Sequence, residues 1–191
     1  AFSLQSNNDN ADKVMQAQIR KNAEAFLSKK IIVCEGKTEQ GFIRALDNYL
    51  SKEKGYRIAF NGIGTADGGG SSIFNCAQQL RTCGYDICIF MDSDKPEEKT
   101  EKDAFIGDGI SVFDWEEPNA IEEQIFQDVS TEVASKLVNV AVEEYGIDSV
   151  KNRLSSIGFT ESEGQIKLDQ IDSATQRAIG TIAKSKKVEW Y

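Results

Sequence analysis

Glu35, Glu39, Asp92 and Asp94 are the residues whose type and spacing could do chemistry. Glu35 directly follows the apolar run Ile31-Ile32-Val33-Cys34, and Asp92 directly follows Ile87-Cys88-Ile89-Phe90-Met91. Such short β-branched runs fit strands buried on both faces of a parallel sheet. In parallel α/β sheets, ligands collect beyond the carboxyl ends of the strands. Asp94 lies two residues past Asp92, so an extended segment aims both side chains to one side. Glu39 lies in the first turn of the next helix, near its positive end. Oxygen-only donors suit Mg²⁺ or Mn²⁺. Four such acids could hold one ion, or two about 3.5–4 Å apart, for phosphodiester cleavage. The alternative for each acid alone is a helix cap or a solvated side chain. Two acidic motifs after consecutive strands favour the metal reading.

The elements that must position these acids are legible in the patterning. Asp12 to Leu27 reads as an amphipathic helix, Lys30 to Cys34 as a strand and Thr38 to Leu50 as a helix. Thr38 is a plausible N-cap, and Gly36 permits the turn before it. Arg57 to Phe60 reads as a second strand, Gly62 to Ser72 as a glycine loop and Ile73 to Thr82 as a helix. Asp86 to Met91 is the clearest strand. Lys95 to Asp108 reads as a surface loop or short helix, and Ile110 to Phe113 as a fourth strand. From Asn119 the pattern is helical, with a last helix over Thr175 to Lys186. The expected class is α/β, a Rossmann-like parallel sheet with a C-terminal helical appendage. The expected segments are 1–28, an N-terminal helix and linker; 29–129, the α/β core; 130–174, a helical insertion; and 175–191, a C-terminal helix with a lysine-bearing end.

Composition narrows the chemistry. Histidine is absent from the 191 residues, which removes Ser-His-Asp, Cys-His and His-metal sites. Cys34, Cys76, Cys83 and Cys88 form no CxxC pair, so a zinc site is not expected. Free cysteines in apolar runs suit a reducing compartment, and a cytoplasmic protein is expected. No stretch approaches the roughly 18 apolar residues of a membrane span, and Ala1 to Asp12 lack a signal-peptide core. The formal net charge of −9 argues against a nucleic-acid binder taken alone. Acids gathered around divalent ions are the exception, because the metal inverts the local charge. The first residue is not Met, and the pattern runs to Tyr191 without a stop signal. A fragment of a longer protein is therefore expected.

Ile31-Ile32-Val33-Cys34-Glu35-Gly36-Lys37-Thr38-Glu39 resembles the first motif of TOPRIM domains, and Ile89-Phe90-Met91-Asp92-Ser93-Asp94 resembles their DxD motif. Three further features are similar to the class 2 branch of the OLD-family ATP-dependent endonucleases. These are Gly68-Gly69-Gly70-Ser71-Ser72, then Asp114-Trp115 followed by Asn119-Ala120-Ile121-Glu122, and the lysine-bearing end from Ala183 to Tyr191. The resemblance implies a TOPRIM fold and a two-metal DNA endonuclease, with a role in phage defence or DNA repair. It implies Glu35, Glu39, Asp92 and Asp94 as metal ligands, Glu35 also as a general base, and Glu122 as a further ligand. It implies a lysine among Lys184, Lys186 and Lys187 that stabilises charge on the transferring phosphate, with Lys187 favoured over its companions. Lys184 and Lys186 are then candidate DNA contacts, as are Gly69, Gly70 and Ser71 through their backbone N–H groups; a plain tight loop is the simpler account of the glycines. The resemblance also implies an N-terminal ABC-type ATPase domain and a homodimer, although no G-x-x-x-x-G-K-[ST] occurs in these residues.

Two other functions compete. A Mg²⁺-dependent phosphotransfer domain would need DxDx[TV] after its first strand, where this chain has Glu35, and has no role for E-G-x-T-E. A catalytically silent TOPRIM module for dimerisation or DNA binding would be signalled by a missing acid, and all four are present.

Overall fold

A computed structural model describes residues 9–185 and divides the chain into two compact units, Ala1–Asp114 and Trp115–Tyr191. In the first unit, α1 (Asp9–Lys21), β1 (Lys30–Cys34), α2 (Lys37–Lys54), β2 (Ile63–Asp67), α3 (Ile73–Thr82), β3 (Asp86–Met91), α4 (Lys99–Gly107) and β4 (Ser111–Asp114) follow one another. The four strands form one parallel sheet in the order β2-β1-β3-β4. The expected α/β class is what the chain adopts.

The sheet forms where β-branched runs can be buried. Ile31, Val33, Ile87 and Ile89 are all buried, together with Ile73, Ala77 and Leu80 from one stripe of α3. Each such aliphatic side chain contributes roughly 1.5–3 kcal/mol when fully removed from water. This core lies under the strand ends that carry the acids. Because β2 and β3 flank β1 on opposite sides, the chain reverses direction across the sheet between β1 and β3. That reversal opens a crevice at their carboxyl ends.

Two expectations fail here. Arg57 to Phe60 is not a strand: Ala59–Asn61 form a 3₁₀ turn with Phe60 90% exposed. The Asp47 carboxylate accepts from the Ile58 N–H at 2.7 Å and holds this segment in a turn. The strand is instead Ile63–Asp67, inside the stretch read as a glycine loop. Gly62 enters it with a φ of +70°, and Gly64 is a strand glycine at a close approach, where a Cβ would lie 3.1 Å from that of Ser28. Lys95 to Asp108 resolves into a 3₁₀ turn over Pro96–Glu98 and the helix α4.

The second unit contains α5 (Ile121–Asp128), α6 (Thr131–Tyr145), α7 (Ile147–Arg153), β5 (Phe159–Ser162), β6 (Gln165–Leu168) and α8 (Ser173–Lys184). Its core joins Phe126, Val138, Val150, Leu154, Ile166, Leu168 and Ile179. The helical pattern is present, but the β5–β6 hairpin was not anticipated. Glu163 and Gly164 take φ values of +53° and +76°, a two-residue turn that suits the twist of paired strands. Side chains of α6 satisfy the backbone of β6. Asn139 accepts from the Ile166 N–H at 2.8 Å and donates to its carbonyl at 2.7 Å, and Ser135 accepts from the Leu168 N–H at 3.0 Å.

Helices α5 and α8 pack through Gly180, where an added Cβ would sit 2.6 Å from the Glu123 Cα. That neighbour is backbone and has no rotamer to yield. Gly180→Ala is expected to destabilise the second unit by about 1–3 kcal/mol, read as a lowered urea midpoint. An unchanged midpoint would show that the two helices separate freely.

Candidate functional site

Glu35 extends the β1–β3 ladder by one step, its N–H donating to the Phe90 carbonyl at 3.0 Å. Its carboxylate is 8% exposed and turns to the neighbouring strand end, where Oε2 accepts from the Asp92 N–H at 3.1 Å. The Lys95 ammonium donates to the other oxygen, Oε1 of Glu35, and also to Oε1 of Glu98 at 3.3 Å. Glu98 is itself buried, and its Oε2 has no hydrogen-bond partner among the described residues. Glu39 is buried in the first turn of α2 and accepts from the Gly36 N–H at 2.7 Å. It therefore caps that helix as well as facing Glu35.

Burial sets the electrostatics. It raises the Glu39 carboxyl above the usual range, with backbone hydrogen bonds opposing it and the Glu35 charge adding to it. Burial also raises Glu98 against the pull of Lys95. For Lys95, burial lowers the ammonium's pKa, but the hydrogen bond and charge of Glu35 outweigh that and hold it well above the ordinary lysine value. Next to Glu35, burial pushes the Cys34 thiol up to about 12. A protonated thiol is neither nucleophile nor metal ligand, so the chemistry of this edge is carboxylate chemistry.

Between the two aspartates the chain bends at Ser93, which is buried and donates to Asp114 Oδ2 at 2.7 Å.

The glycine loop braces the acidic turn. Gly68 N–H donates to the Cys34 carbonyl at 2.7 Å and Gly70 N–H to the Glu35 carbonyl at 2.8 Å. Gly69 N–H donates to Asp67 Oδ1 at 2.9 Å. A Cβ on Gly68 would lie 2.9 Å from the Cys34 oxygen, so the loop lies against β1 only because it has none. The N–H groups of Gly69 and Gly70, considered as phosphate donors, are thus engaged inside the fold. Ser71 lies in the 3₁₀ turn Gly70–Ser72.

Asp67 is a strand-end acid that the patterning of the sequence obscures. Asp67 ends β2 as Asp114 ends β4, so all four strands deliver a carboxylate to one edge. Asp67 is buried and pairs with Lys21 at 2.9 Å and Lys37 at 3.1 Å. Asn22 accepts from its N–H at 2.7 Å and donates to its carbonyl at 3.1 Å, completing the open edge of β2. The signal for Asp67 was the short Ile63-Gly64-Thr65-Ala66 run before it, obscured by its glycine. The signal for Lys95 and Glu98 was a three-residue spacing across Pro96.

Of the predicted site residues, Glu35, Glu39, Asp92 and Asp94 belong to the first unit and its acidic edge. Glu122 lies in the first turn of α5 in the second unit, and Lys184 ends α8, where it pairs with Glu123 at 3.1 Å. Lys186 and Lys187 lie outside the described residues. Among the described residues, no group of three or more metal-binding side chains stands in ligand geometry. The donor set nevertheless fits a hard divalent cation. It is all oxygen, and Glu35, Glu39 and Glu98 are buried acids that need positive charge nearby.

Residues 26–94 match the family model described as the TOPRIM domain of overcoming lysogenization defect protein-like proteins, and this segment is an OLD-like TOPRIM domain. The match ends on Asp94, the second aspartate of the DxD motif. No curated protein and no solved structure matches the chain. TOPRIM domains act in nucleases, topoisomerases and primases and bind divalent metal.

Asp67 supplies a test of how the edge is held. Burial alone would raise its carboxyl, but hydrogen bonds from Lys21, Lys37 and the Gly69 N–H bring it below the usual value. A depressed folded pKa means that its stabilisation is complete above the ordinary aspartate value of about 3.9. It is lost as pH falls through the folded value. Asp67→Asn is expected to lower stability at neutral pH by on the order of 1 kcal/mol, with the difference from the natural protein shrinking under acid. Urea midpoints across pH check this, and a pH-independent difference would contradict it.

Proposed function

We propose that this chain is the nuclease domain of a longer protein, a Mg²⁺- or Mn²⁺-dependent DNA endonuclease with an N-terminal ABC-type ATPase domain and a homodimeric assembly. The observation that carries the reading is the Glu35 carboxylate bonded to the Asp92 N–H, which joins the two acidic motifs at the crevice between β1 and β3. Glu35, Glu39, Asp92 and Asp94 would hold the metal. When bound, one or two such ions lower the pKa of a water and offset charge on the scissile phosphate. In the cleavage step a water oxygen bonds to phosphorus while the bond from phosphorus to the leaving oxygen breaks. Glu35 would accept the proton released by that water. Lys187 is proposed to offset charge on the phosphate, with Lys184 and Lys186 as DNA contacts.

Free cysteines suit a reducing compartment, so the proposed location is the cytoplasm and the proposed role phage defence or DNA repair. Among the described residues no helix is long and apolar enough to cross a membrane. The net charge of −9 makes tight DNA binding by these residues alone unexpected. Binding to a labelled duplex should be weak and strengthened by Mg²⁺; tight, salt-sensitive binding in EDTA would contradict the reading.

One observation favours a second reading. Lys95 already neutralises Glu35, as it would in a module that binds DNA or pairs with a second copy without cutting. Plasmid nicking with Mg²⁺ or Mn²⁺ separates the two. Glu35→Gln and Asp92→Asn are each expected to reduce nicking by on the order of 10²–10³-fold while the circular dichroism spectrum is unchanged. Full activity in both variants would refute the nuclease assignment; metal binding by the full-length protein without cleavage would support the module.

A further inference from the structure

Lys95, Pro96 and Glu98 form one short device at the end of β3. Lys95 is extended, with φ −117° and ψ 94°, Pro96 begins the 3₁₀ turn, and the Glu98 N–H returns to the Lys95 carbonyl at 3.1 Å. The turn brings the Glu98 carboxylate beneath the ammonium that also meets Glu35. Glu35 and Glu98 are 8% exposed each, so neither carboxylate has bulk water to screen it from the other. The Lys95 ammonium between them offsets the repulsion of the two carboxylates.

We infer that Lys95 is a resident cation in the metal-binding crevice: it keeps Glu35 and Glu98 together while the site holds no metal, and it must swing out before a divalent ion binds there. The inference rests on the metal-dependent reading above and adds a competitor that the acids alone would not reveal. Three features carry it.

Oε1 of Glu35 and Oε1 of Glu98 are the oxygens that face Lys95, and both would be drawn on by a metal taking Glu35. The Oε2 atom of Glu98 is buried and has no hydrogen-bond partner among the described residues. The ammonium therefore leaves a donor oxygen unused, which an ion seeking about six oxygens can take. The Lys95 side chain is 31% exposed and has a flexible four-carbon stem, so solvent offers its ammonium a place to go. Lys95 is thus a positioning residue: it acts on Glu35 rather than on the substrate.

The test uses the chain with Lys95 replaced by Met, and Lys95→Gln as a second variant that keeps a hydrogen-bond donor. Lys136→Met serves as a control, since Lys136 pairs with exposed Glu132 on α6. Mn²⁺ affinity is measured by calorimetry, and thermal midpoints are compared in EDTA and in Mg²⁺. Removing the competing charge is expected to tighten Mn²⁺ binding by on the order of tenfold in Lys95→Met, with a smaller gain in Lys95→Gln and none in the control. The midpoint in EDTA should fall, and Mg²⁺ should restore it by more than it raises the natural protein. If the natural protein binds Mn²⁺ and both Lys95 variants bind it equally or less well, Lys95 is no competitor and the inference is overturned, leaving the metal reading intact. If none of the proteins binds Mn²⁺, the metal reading itself fails and takes this inference with it. Should Lys95→Met not fold in EDTA, its refolding on addition of Mg²⁺ supports the inference, and failure to refold in either condition, with unaltered binding in Lys95→Gln, overturns it.

Discussion

A carboxylate moved out of water needs a positive partner, and the C-terminal edge of this sheet is organised around that need. Parallel strands deliver their ends to one side, and here all four ends carry an acid: Glu35, Asp67, Asp92 and Asp114. The interior of the sheet cannot supply positive charge, because β1 and β3 are apolar throughout their buried length. The partners therefore come from outside the strands. Lys21 and Lys37 reach Asp67, Lys95 reaches Glu35, and Lys102 reaches Asp114 at 2.7 Å. What distinguishes the β1–β3 crevice from the flanking positions is that Glu35, Glu39 and Glu98 are all buried near one lysine.

The turn between β1 and α2 shows how backbone economy serves the same end. Gly36 places its N–H on Glu39, Gly68 and Gly70 place theirs on the carbonyls of Cys34 and Glu35, and Gly69 places its own on Asp67. None of these contacts tolerates much movement, since Gly68 already lies at the closest approach to β1 that its missing side chain allows. The glycine run is thus a brace for the acids. Its likeness to a phosphate-binding loop is one of composition, because its N–H groups point into the fold.

What was legible in the sequence follows from which forces act locally. Lys30 to Cys34 and Asp86 to Met91 read as strands because nothing but burial competes for an apolar β-branched run, and the structure returns the same bounds. Glu35 and Asp92 were visible as strand-end acids for the same reason. The second strand was misplaced because two tertiary events decided it, the Asp47 side chain capturing the Ile58 N–H and Gly64 packing against the Ser28 segment. Neither contact leaves a periodic trace. Losing that strand also hid Asp67. The hairpin in the second unit leaves only a short trace, since Ile166 and Leu168 alternate with polar residues over just four positions between helical stretches, and Glu163-Gly164 mark the turn. Lys95 and Glu98 were read as members of a charged surface segment, because charge in a sequence gives no sign of burial.

The acidity of the chain and its relation to nucleic-acid chemistry can now be argued from the same edge. A net charge of −9 would repel phosphate if it were spread evenly. At the strand ends it is not, because the lysines drawn from α1, α2 and the segment after β3 already offset the acids locally. An ammonium carries one charge and presents hydrogens, so it can satisfy two carboxylates and do nothing for a third oxygen such as Oε2 of Glu98. A divalent ion in its place carries twice the charge and binds more oxygens, including those of a phosphate. The same buried acids that hold the fold's own lysine are therefore suited to hold an ion that still has coordination positions and positive charge to offer a phosphate. A bound cation of that kind is how an acidic surface can meet a phosphate without a basic patch of its own.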